Sequence, residues 1–331
     1  MQPGDLENLA EKVAVAIREA DGRYCDLHLH PRLANLPHED IAAAVSILEK
    51  WGYELKKNAR GHYLIRNAPD CFLAHEIRFN LNTRLLGRVI HSFHTVQSTN
   101  TTAHQLAVAG EPEGTIVIAE KQTRGKGRFG RSWHSPDKLG MYCSVILRPP
   151  IPPGLAPGIS LITAVALADT IAALGKLEVG IKWPNDVFIS GIKAAGILTE
   201  LATELDLINF VIVGIGVNIN HEESDFPPEL RPIAISIRQA LGRKINRVEF
   251  LRSFLRQLEA EYLGFKKHGL AGSREKILAY SILLGKRIEL KIGRKIISGT
   301  VVDIDSEGRL VVETPDGLKP CSAGEITMHE G

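Results

Sequence analysis

This 331-residue sequence predicts an α+β architecture in three parts. Three observations carry that reading. The first 66 residues hold helical periods followed by a short hairpin, a long middle run alternates strands with helices, and the last stretch reads as short strands between glycine turns. In the first part, Leu6 to Ala20 puts Leu9, Val13, Ala14 and Ile17 on one face of a helix that Asp21-Gly22 stops. A short apolar patch, Leu33 to Leu36, comes before Pro37. A second helix then runs from His38 to Trp51 and ends at Gly52. Two short strands, Tyr53-Glu54-Leu55 and His62 to Ile65, flank a turn at Asn58-Ala59-Arg60-Gly61.

Helices followed by a hairpin make the outline of a winged helix-turn-helix over residues 1–66, and residues 67–88 read as a linker. Beyond it, Val89–Phe93, Thr115–Glu120, Met141–Leu147, Val179–Trp183, Val187–Ile189, Ala194–Leu201 and Phe210–Ile219 read as strands. Thr99–Val108, Ile159–Leu174 and Val248–Phe265 read as helices laid on one side of that sheet. From residue 281, Arg287–Ile292 and Ile297–Ile304 alternate polar with apolar residues around Gly293. Turn signals follow at Ser306-Glu307-Gly308 and Pro315-Asp316-Gly317, giving a small SH3-like β-barrel.

Hydrophobic residues make up 44% and charged residues 24%, which suits packed cores. A formal net charge of +2 names no partner. Cys25, Cys71, Cys143 and Cys321 are widely spaced, so neither a disulfide framework nor a thiolate metal site is indicated and a reducing cytoplasm is expected. Cys25, His28 and His30 lie close together but lack further spaced ligands, and they read as ordinary core or surface residues. The first nine residues carry Asp5 and Glu7 and no apolar core, unlike a secretory signal. Leu155 to Leu174 is long and apolar enough to raise a membrane span. Its Asp169 and internal threonines favour a buried core helix instead.

Four stretches carry chemistry. In Gln122-Thr123-Arg124-Gly125-Lys126-Gly127-Arg128-Phe129-Gly130-Arg131-Ser132-Trp133, four cations and three glycines fall within eight residues. Bare backbone can approach a ligand closely and the cations neutralise phosphate or carboxylate, so the loop suits an anion. A solvated basic turn is the alternative. Neither the P-loop nor the dinucleotide pattern is present. In Lys182-Trp183-Pro184-Asn185-Asp186, a strand delivers an amide that can read a base edge and a carboxylate that can hold an ion. The alternative is an ordinary Asn-Asp turn with Trp183 as core. Lys193 opens the apolar Ala194-Ala195-Gly196-Ile197-Leu198, either as an edge charge or as a cation over a pocket. Gly214-Ile215-Gly216-Val217-Asn218 bares one face of a strand to a flat ligand, or else marks a β-bulge.

Together with Gln97-Ser98-Thr99-Asn100 upstream, and in this order, these motifs resemble the catalytic domain of biotin–protein ligases over residues 89–275. The flanking parts are similar to those of the bifunctional bacterial type that doubles as the biotin repressor. The resemblance implies a central mixed-sheet, class II synthetase-like domain over residues 89–280, with the SH3-like domain over 281–331. It implies an enzyme that forms biotinyl-5'-AMP from biotin and ATP and passes biotin to a lysine of a biotin carboxyl carrier protein. Ser98, Thr99, Asn100, Gln122, Gly214 and Gly216 would line the biotin pocket. Gly125, Lys126 and Arg128 would form a loop that closes over the ligand, and Lys193 would face its carboxylate. Arg128, Lys193 and Lys126 would be the catalytic cations. Arg131, Trp133, Lys182, Asn185 and Asn218 would hold ATP, with Trp133 beside the adenine and Asp186 serving Mg2+.

Competing readings are a lipoate or octanoate ligase and a biotin-sensing repressor. Lipoyl ligases carry a different signature, and a complete ATP-site set disfavours a pure sensor. The carrier protein is the expected partner, a homodimer is compatible with the resemblance, and no membrane is expected. The chain departs from the repressor-type ligase at three places. Lys126 stands where arginine is common, and His329 where a phosphate-facing arginine is expected. The recognition-helix candidate, His38-Glu39-Asp40-Ile41-Ala42-Ala43-Ala44-Val45, lacks the usual base and phosphate readers. Residues 1–70 hold 9 Lys and Arg against 11 Asp and Glu, so operator binding is expected to be weak or lost.

Overall fold

Apolar spacing sets the first helix pair. In the computed structural model, which describes residues 3–204 and 207–328, the chain divides into two units, Met1–Asn80 and Leu81–Gly331. The first unit contains α1 (Pro3–Glu19), α2 (His38–Lys50), β1 (Glu54–Lys57), β2 (Tyr63–Asn67) and α3 (Ala74–Arg78). Leu9, Val13 and Ile17 of α1 are buried in one cluster with Ile41, Val45 and Leu48 of α2, as residues three and four apart should be. Between the helices, residues 26–36 form successive turns with Leu33 buried beneath them. The hairpin turn is made by Asn58, whose side-chain oxygen accepts from the N–H groups of Arg60 and His62, with Gly61 at φ +84°. An isolated bridge from Cys25 to Tyr63 adds a third extended segment to that hairpin.

The second unit holds a mixed seven-stranded sheet in the order β3-β4-β5-β9-β8-β7-β6. Its strands are β3 (Ile90–Val96), β4 (Ile116–Gln122), β5 (Gly140–Leu147), β6 (Val179–Lys182), β7 (Asp186–Ile189), β8 (Ile192–Glu204) and β9 (Leu207–Asn218). Only the β3–β4 pair among them is parallel. Helices cover both faces, not one as the sequence suggested. On one face α4 (Thr99–Val108) packs Ala103 and Ala107 against Val117, Ile146, Phe210 and Ile212. The opposite face carries α5 (Pro157–Ala172), whose Ser160 hydrogen-bonds Thr199 at 2.6 Å; α7 (Arg247–His268) packs on α5. The correction has a simple cause: α4 is short and weakly patterned, so the sequence does not disclose which face it covers.

The segment 153–172 is the one stretch among the described residues long and apolar enough to cross a membrane. It is buried in the core, with Ile159 through Ala168 inaccessible or nearly so. Two short helices, α6 (Ile237–Leu241) and α8 (Arg274–Tyr280), were not legible as periods. A five-stranded antiparallel sheet closes the unit in the order β13-β12-β11-β10-β14. It comprises β10 (Arg287–Ile292), β11 (Lys295–Ile304), β12 (Leu310–Thr314), β13 (Gly317–Cys321) and β14 (Glu325–Met328). Trp183, buried beneath the central sheet, donates its indole N–H to the carbonyl of Gly308 at 2.8 Å and ties the two sheets together. His329 lies outside the described residues.

Candidate active site

The registers of β5, β9 and β8 build a floor with glycines at its centre. Ser144 pairs with Gly214 and Gly214 with Leu198, and one row further Tyr142 pairs with Gly216 and Gly216 with Gly196. Pairing is continuous through Gly214 and Gly216, so this stretch is regular strand and not a bulge. Other groups use the space the glycines leave. A Cβ on Gly214 would collide with Asn100 Oδ1, and one on Gly216 would come within 2.5 Å of the Trp133 indole. A cavity of about 680 Å3 opens over this floor, in the size range of small-molecule sites.

Moving along β9 toward its end, the lining changes in character. The N-terminus of α4 supplies Ser98, Thr99 and Asn100, all buried. Thr99 donates its backbone N–H to Gln122 Oε1 at 2.9 Å, and Gln122 Nε2 donates to Ser135 Oγ at 2.9 Å. The Ser98 hydroxyl is buried with no partner, a polar atom facing a ligand site. Next comes the indole of Trp133 over Gly196 and Gly216, with Lys193 Nζ 5.5 Å from its ring centre.

Beyond it four side chains form a chain of charge and amide. Arg128 Nη1 donates to Asn185 Oδ1 at 2.6 Å, Asn185 Nδ2 donates to Asp186 Oδ1 at 2.9 Å, and Asp186 Oδ2 pairs with Lys193 Nζ at 2.8 Å. Lys193 is therefore a pocket cation, and Asn185-Asp186 is more than a turn. Burial lowers the Arg128 pKa against the pull of Asp186. Burial also lowers that of Lys182, with Lys193 adding to the effect and Asp186 opposing it. An incoming anion would relieve this cost.

The basic loop has a defined form. Gly127 N–H donates to the Arg131 carbonyl, Trp133 N–H to the Gly125 carbonyl, and Lys126 bridges Ser132, making a small hairpin. Its tip is a 3₁₀ turn at Arg128–Gly130, where Phe129 takes φ +55° and stays exposed. Arg131 pairs with Glu325 of the terminal sheet, and Gly324 to Thr327 line the cavity. The terminal sheet thus reaches the site through these residues.

The structure brings the expected residues to one cavity with a single exception. Ser98, Thr99, Asn100, Gln122, Gly214 and Gly216 line it at the α4 end. Lys126, Arg128, Arg131, Trp133, Lys182 and Lys193 line the middle, with Asn185, Asp186 and Asn218. Gly125 does not line it. That residue is buried behind the loop, where a Cβ would strike the Trp133 carbonyl and Ser135. Sequence reasoning missed the apolar wall of Phe226, Leu230, Ile233 and Ala234, which follows β9. The signal was the rigid Phe226-Pro227-Pro228 and Arg231-Pro232 run, which fixes a loop with little conformational freedom.

His221 supports that wall from behind. It is inaccessible, stacks on Phe226 at 4.9 Å and 13°, and has no partner on either ring nitrogen. Burial pushes its pKa down to about 4, with His134 contributing. The folded value lies below the unfolded one, so the unfolded chain binds more protons between these limits and stability falls as pH drops through them. The neutral ring is stable above pH ~6.5, and about 3 kcal/mol is lost by pH 4. Urea unfolding at pH 7 and pH 4.5 is expected to show this loss, and a His221→Leu chain to show a shallower one. Equal losses in both would assign the acid sensitivity elsewhere.

The chain is similar to known proteins over most of its length. The model of the biotin/lipoate A/B protein ligase family matches residues 92–218, and that of the biotin protein ligase C terminal domain matches residues 283–328. The bifunctional ligase/repressor BirA of Bacillus subtilis is 38% identical over 281 residues, covering 85% of this chain and 86% of that protein. The biotin–[acetyl-CoA-carboxylase] ligase of Mycobacterium tuberculosis is 33% identical over 237 residues, covering 69% and 85%. Among solved structures, the biotin protein ligase from Aquifex aeolicus in complex with biotin and ATP superposes with a TM-score of 0.64. It is 27% identical, and the match covers 74% of this chain and all of that one.

Proposed function

The chain belongs to the biotin–protein ligase family, and from that premise we propose how its own residues activate biotin with ATP and pass it to an acceptor lysine. It is an ATP-dependent biotin–protein ligase. The observation that carries the residue assignment is the single cavity joining a polar α4 wall, a glycine floor and the Arg128–Asn185–Asp186–Lys193 chain. Ser98, Thr99, Asn100 and Gln122 hold the polar ureido head of biotin over Gly214. Lys193 and Arg128 meet the carboxylate, and Trp133, Asn185, Asn218, Arg131 and Lys182 meet the nucleotide.

The carboxylate oxygen attacks the α-phosphorus, the bond to the bridging oxygen breaks, and pyrophosphate leaves. Negative charge grows on the phosphoryl oxygens, where Lys193 and Arg128 are held beforehand and Lys126 and Lys182 add positive charge. The basic hairpin covers the mixed anhydride against water. The acceptor amine then attacks the anhydride carbonyl, AMP leaves, and the amine loses a proton. Magnesium, when bound with the triphosphate, supplies charge neutralisation. Asp186 is a carboxylate suited to hold it, because Mg2+ asks for one or two carboxylates beside phosphate oxygens.

For the layout, we assign residues 1–66 to a winged-helix-like domain, 67–88 to a linker, 89–280 to the catalytic domain and 281–331 to an SH3-like domain. Incubation with biotin, Mg-ATP and a biotin carboxyl carrier domain tests the whole reading. The acceptor should gain one biotinyl mass, and gain only with lipoate or octanoate would move the chain to the other branch of its family.

A repressor role is favoured by the names of the relatives and opposed by the surface of α2. The exposed side of that helix presents His38, Glu39, Ala42, Ser46, Glu49 and Lys50, with no arginine and two carboxylates. The full-length chain is expected to retain duplexes from its host's biotin-gene promoters only at about micromolar protein and physiological salt, as non-specific binders do. Nanomolar, competitor-resistant retention would refute this.

A further inference from the structure

The edge of the cavity continues onto a surface that neither small substrate needs. In the terminal sheet, Ile296 of β11 pairs with Lys291 of β10, and Lys291 pairs with Glu325 of β14. Directly opposed residues of antiparallel strands send their side chains to the same face, so Ile296, Lys291 and Glu325 stand in one row across three strands. Glu325 lines the cavity and pairs with Arg131 of the basic loop. Neighbouring strands lie about 4.8 Å apart, so the row runs outward from the cavity edge for about 10 Å. Beside it the β10–β11 turn, Ile292-Gly293-Arg294-Lys295, extends beyond the last β14 pair at Lys291.

This hairpin carries one sign of charge. Lys291, Arg294 and Lys295 are exposed, and none of them pairs with a carboxylate among the described residues. No Asp or Glu occurs between Glu289 and Asp303. Lys126, exposed on the basic loop, brings the same sign to the cavity mouth. Among these cations Ile296 is 62% exposed. None of the residues from Lys291 to Ile296 lines the cavity, so a ligand held inside does not account for them.

The third substrate does. An acceptor lysine has only a four-carbon stem between its backbone and its amine. For that amine to reach an anhydride inside the cavity, the domain bearing it must press against the rim. We propose that the β10–β11 hairpin is the docking surface for an acidic face of the acceptor carrier domain. Ile296 is its apolar contact, and Lys291, Arg294 and Lys295 are its counter-charges. This rests on the reading of the chain as a ligase whose adenylate forms in the cavity. A hairpin tip buries far less than the roughly 800 Å2 per partner of a stable complex, which suits a substrate that must leave after transfer. Rim charges of this kind speed and orient the encounter, and salt screens them.

The two half-reactions separate the hairpin from the chemistry. Pyrophosphate release without acceptor reads adenylation, and mass gain on a biotin carboxyl carrier domain reads transfer. Both would be measured in the full-length wild type, a Lys291→Glu/Lys295→Glu double variant and an Ile296→Ser variant. The acceptor KM should rise roughly tenfold in the double variant and about threefold in Ile296→Ser. Adenylation kcat and the KM values of biotin and ATP should stay within twofold. In the wild type the acceptor KM should climb as salt is raised from about 0.05 M to about 0.5 M, and in the double variant it should stay nearly flat. An unchanged acceptor KM in both variants overturns the proposal, as does a wild-type acceptor KM indifferent to salt. Equal loss of both half-reactions would make the hairpin a support of the fold and overturn it too. An unchanged acceptor KM with weakened self-association or duplex retention would give the surface to a second copy or to nucleic acid instead. A wild-type chain that adenylates no biotin would overturn the ligase reading itself, which none of the other outcomes does.

Discussion

Lys193→Ala is expected to lower kcat/KM for biotin adenylation by about 100- to 1000-fold, the usual cost of removing one fixed charge-stabilising group from a reacting centre. Lys193 Nζ is held 2.8 Å from Asp186 Oδ2 and lies over the Trp133 indole, so it is aimed before any substrate arrives. Its charge has no nearby substitute of the same geometry. Arg128 approaches from the opposite side, on the loop and bonded to Asn185, while Lys126 is exposed. Pyrophosphate release checks the rate, and ATP affinity within a few fold of wild type shows that the nucleotide half survives. Arg128→Ala should cost about 100-fold and add a second symptom: because Arg128 closes the hairpin onto the floor, biotinyl-AMP should escape and be detectable free in solution. Asp186→Asn removes the carboxylate that holds Lys193 in place, so it should slow the same step by a smaller factor than Lys193→Ala. A Lys193→Ala chain that adenylates biotin at the wild-type rate would remove this residue from the mechanism.

Much of the site was legible in the sequence because it is built from local motifs on consecutive strands. The basic loop, Lys182 to Asp186, Lys193 and Gly214 to Asn218 each sit at a strand end, and antiparallel pairing brings strand ends together. The wall of Phe226, Leu230 and Ile233 was not legible, since a proline-fixed loop has no period and its target lies far away in the chain. Nor were Ser144 and Glu200. A serine in an apolar strand and a glutamate in a neighbouring one look ordinary until the fold brings both to the Asn100 amide. Gly125 misled for the same reason, because a loop glycine serves equally a ligand or its own loop, and here it admits the Trp133 carbonyl.

Register also separates two glycines that look equivalent in sequence. Gly214→Ala should raise the KM for biotin about 100-fold and leave that for ATP nearly unchanged. Gly216→Ala should weaken ATP use more than biotin binding. A methyl on Gly214 meets Asn100 Oδ1, and Asn100 cannot yield without breaking its bonds to Glu200, Leu198 and Ser144. Overpacking a pinned contact costs about 1–3 kcal/mol, and the upper end of that range is a factor of about 100 in affinity. A methyl on Gly216 meets the indole of Trp133 instead. The indole N–H has no partner to hold it, so the ring is expected to shift and disturb the nucleotide half of the floor. Steady-state titration of each substrate against each variant reads the two effects apart. Thermal unfolding guards against misfolding, since Gly214→Ala also disturbs a buried network and should lower Tm by several degrees. The order of the two KM effects is the decisive observation. If both alanines raised the biotin KM alone, the indole would belong over biotin and not beside adenine, and the division of the floor between the substrates would have to be redrawn.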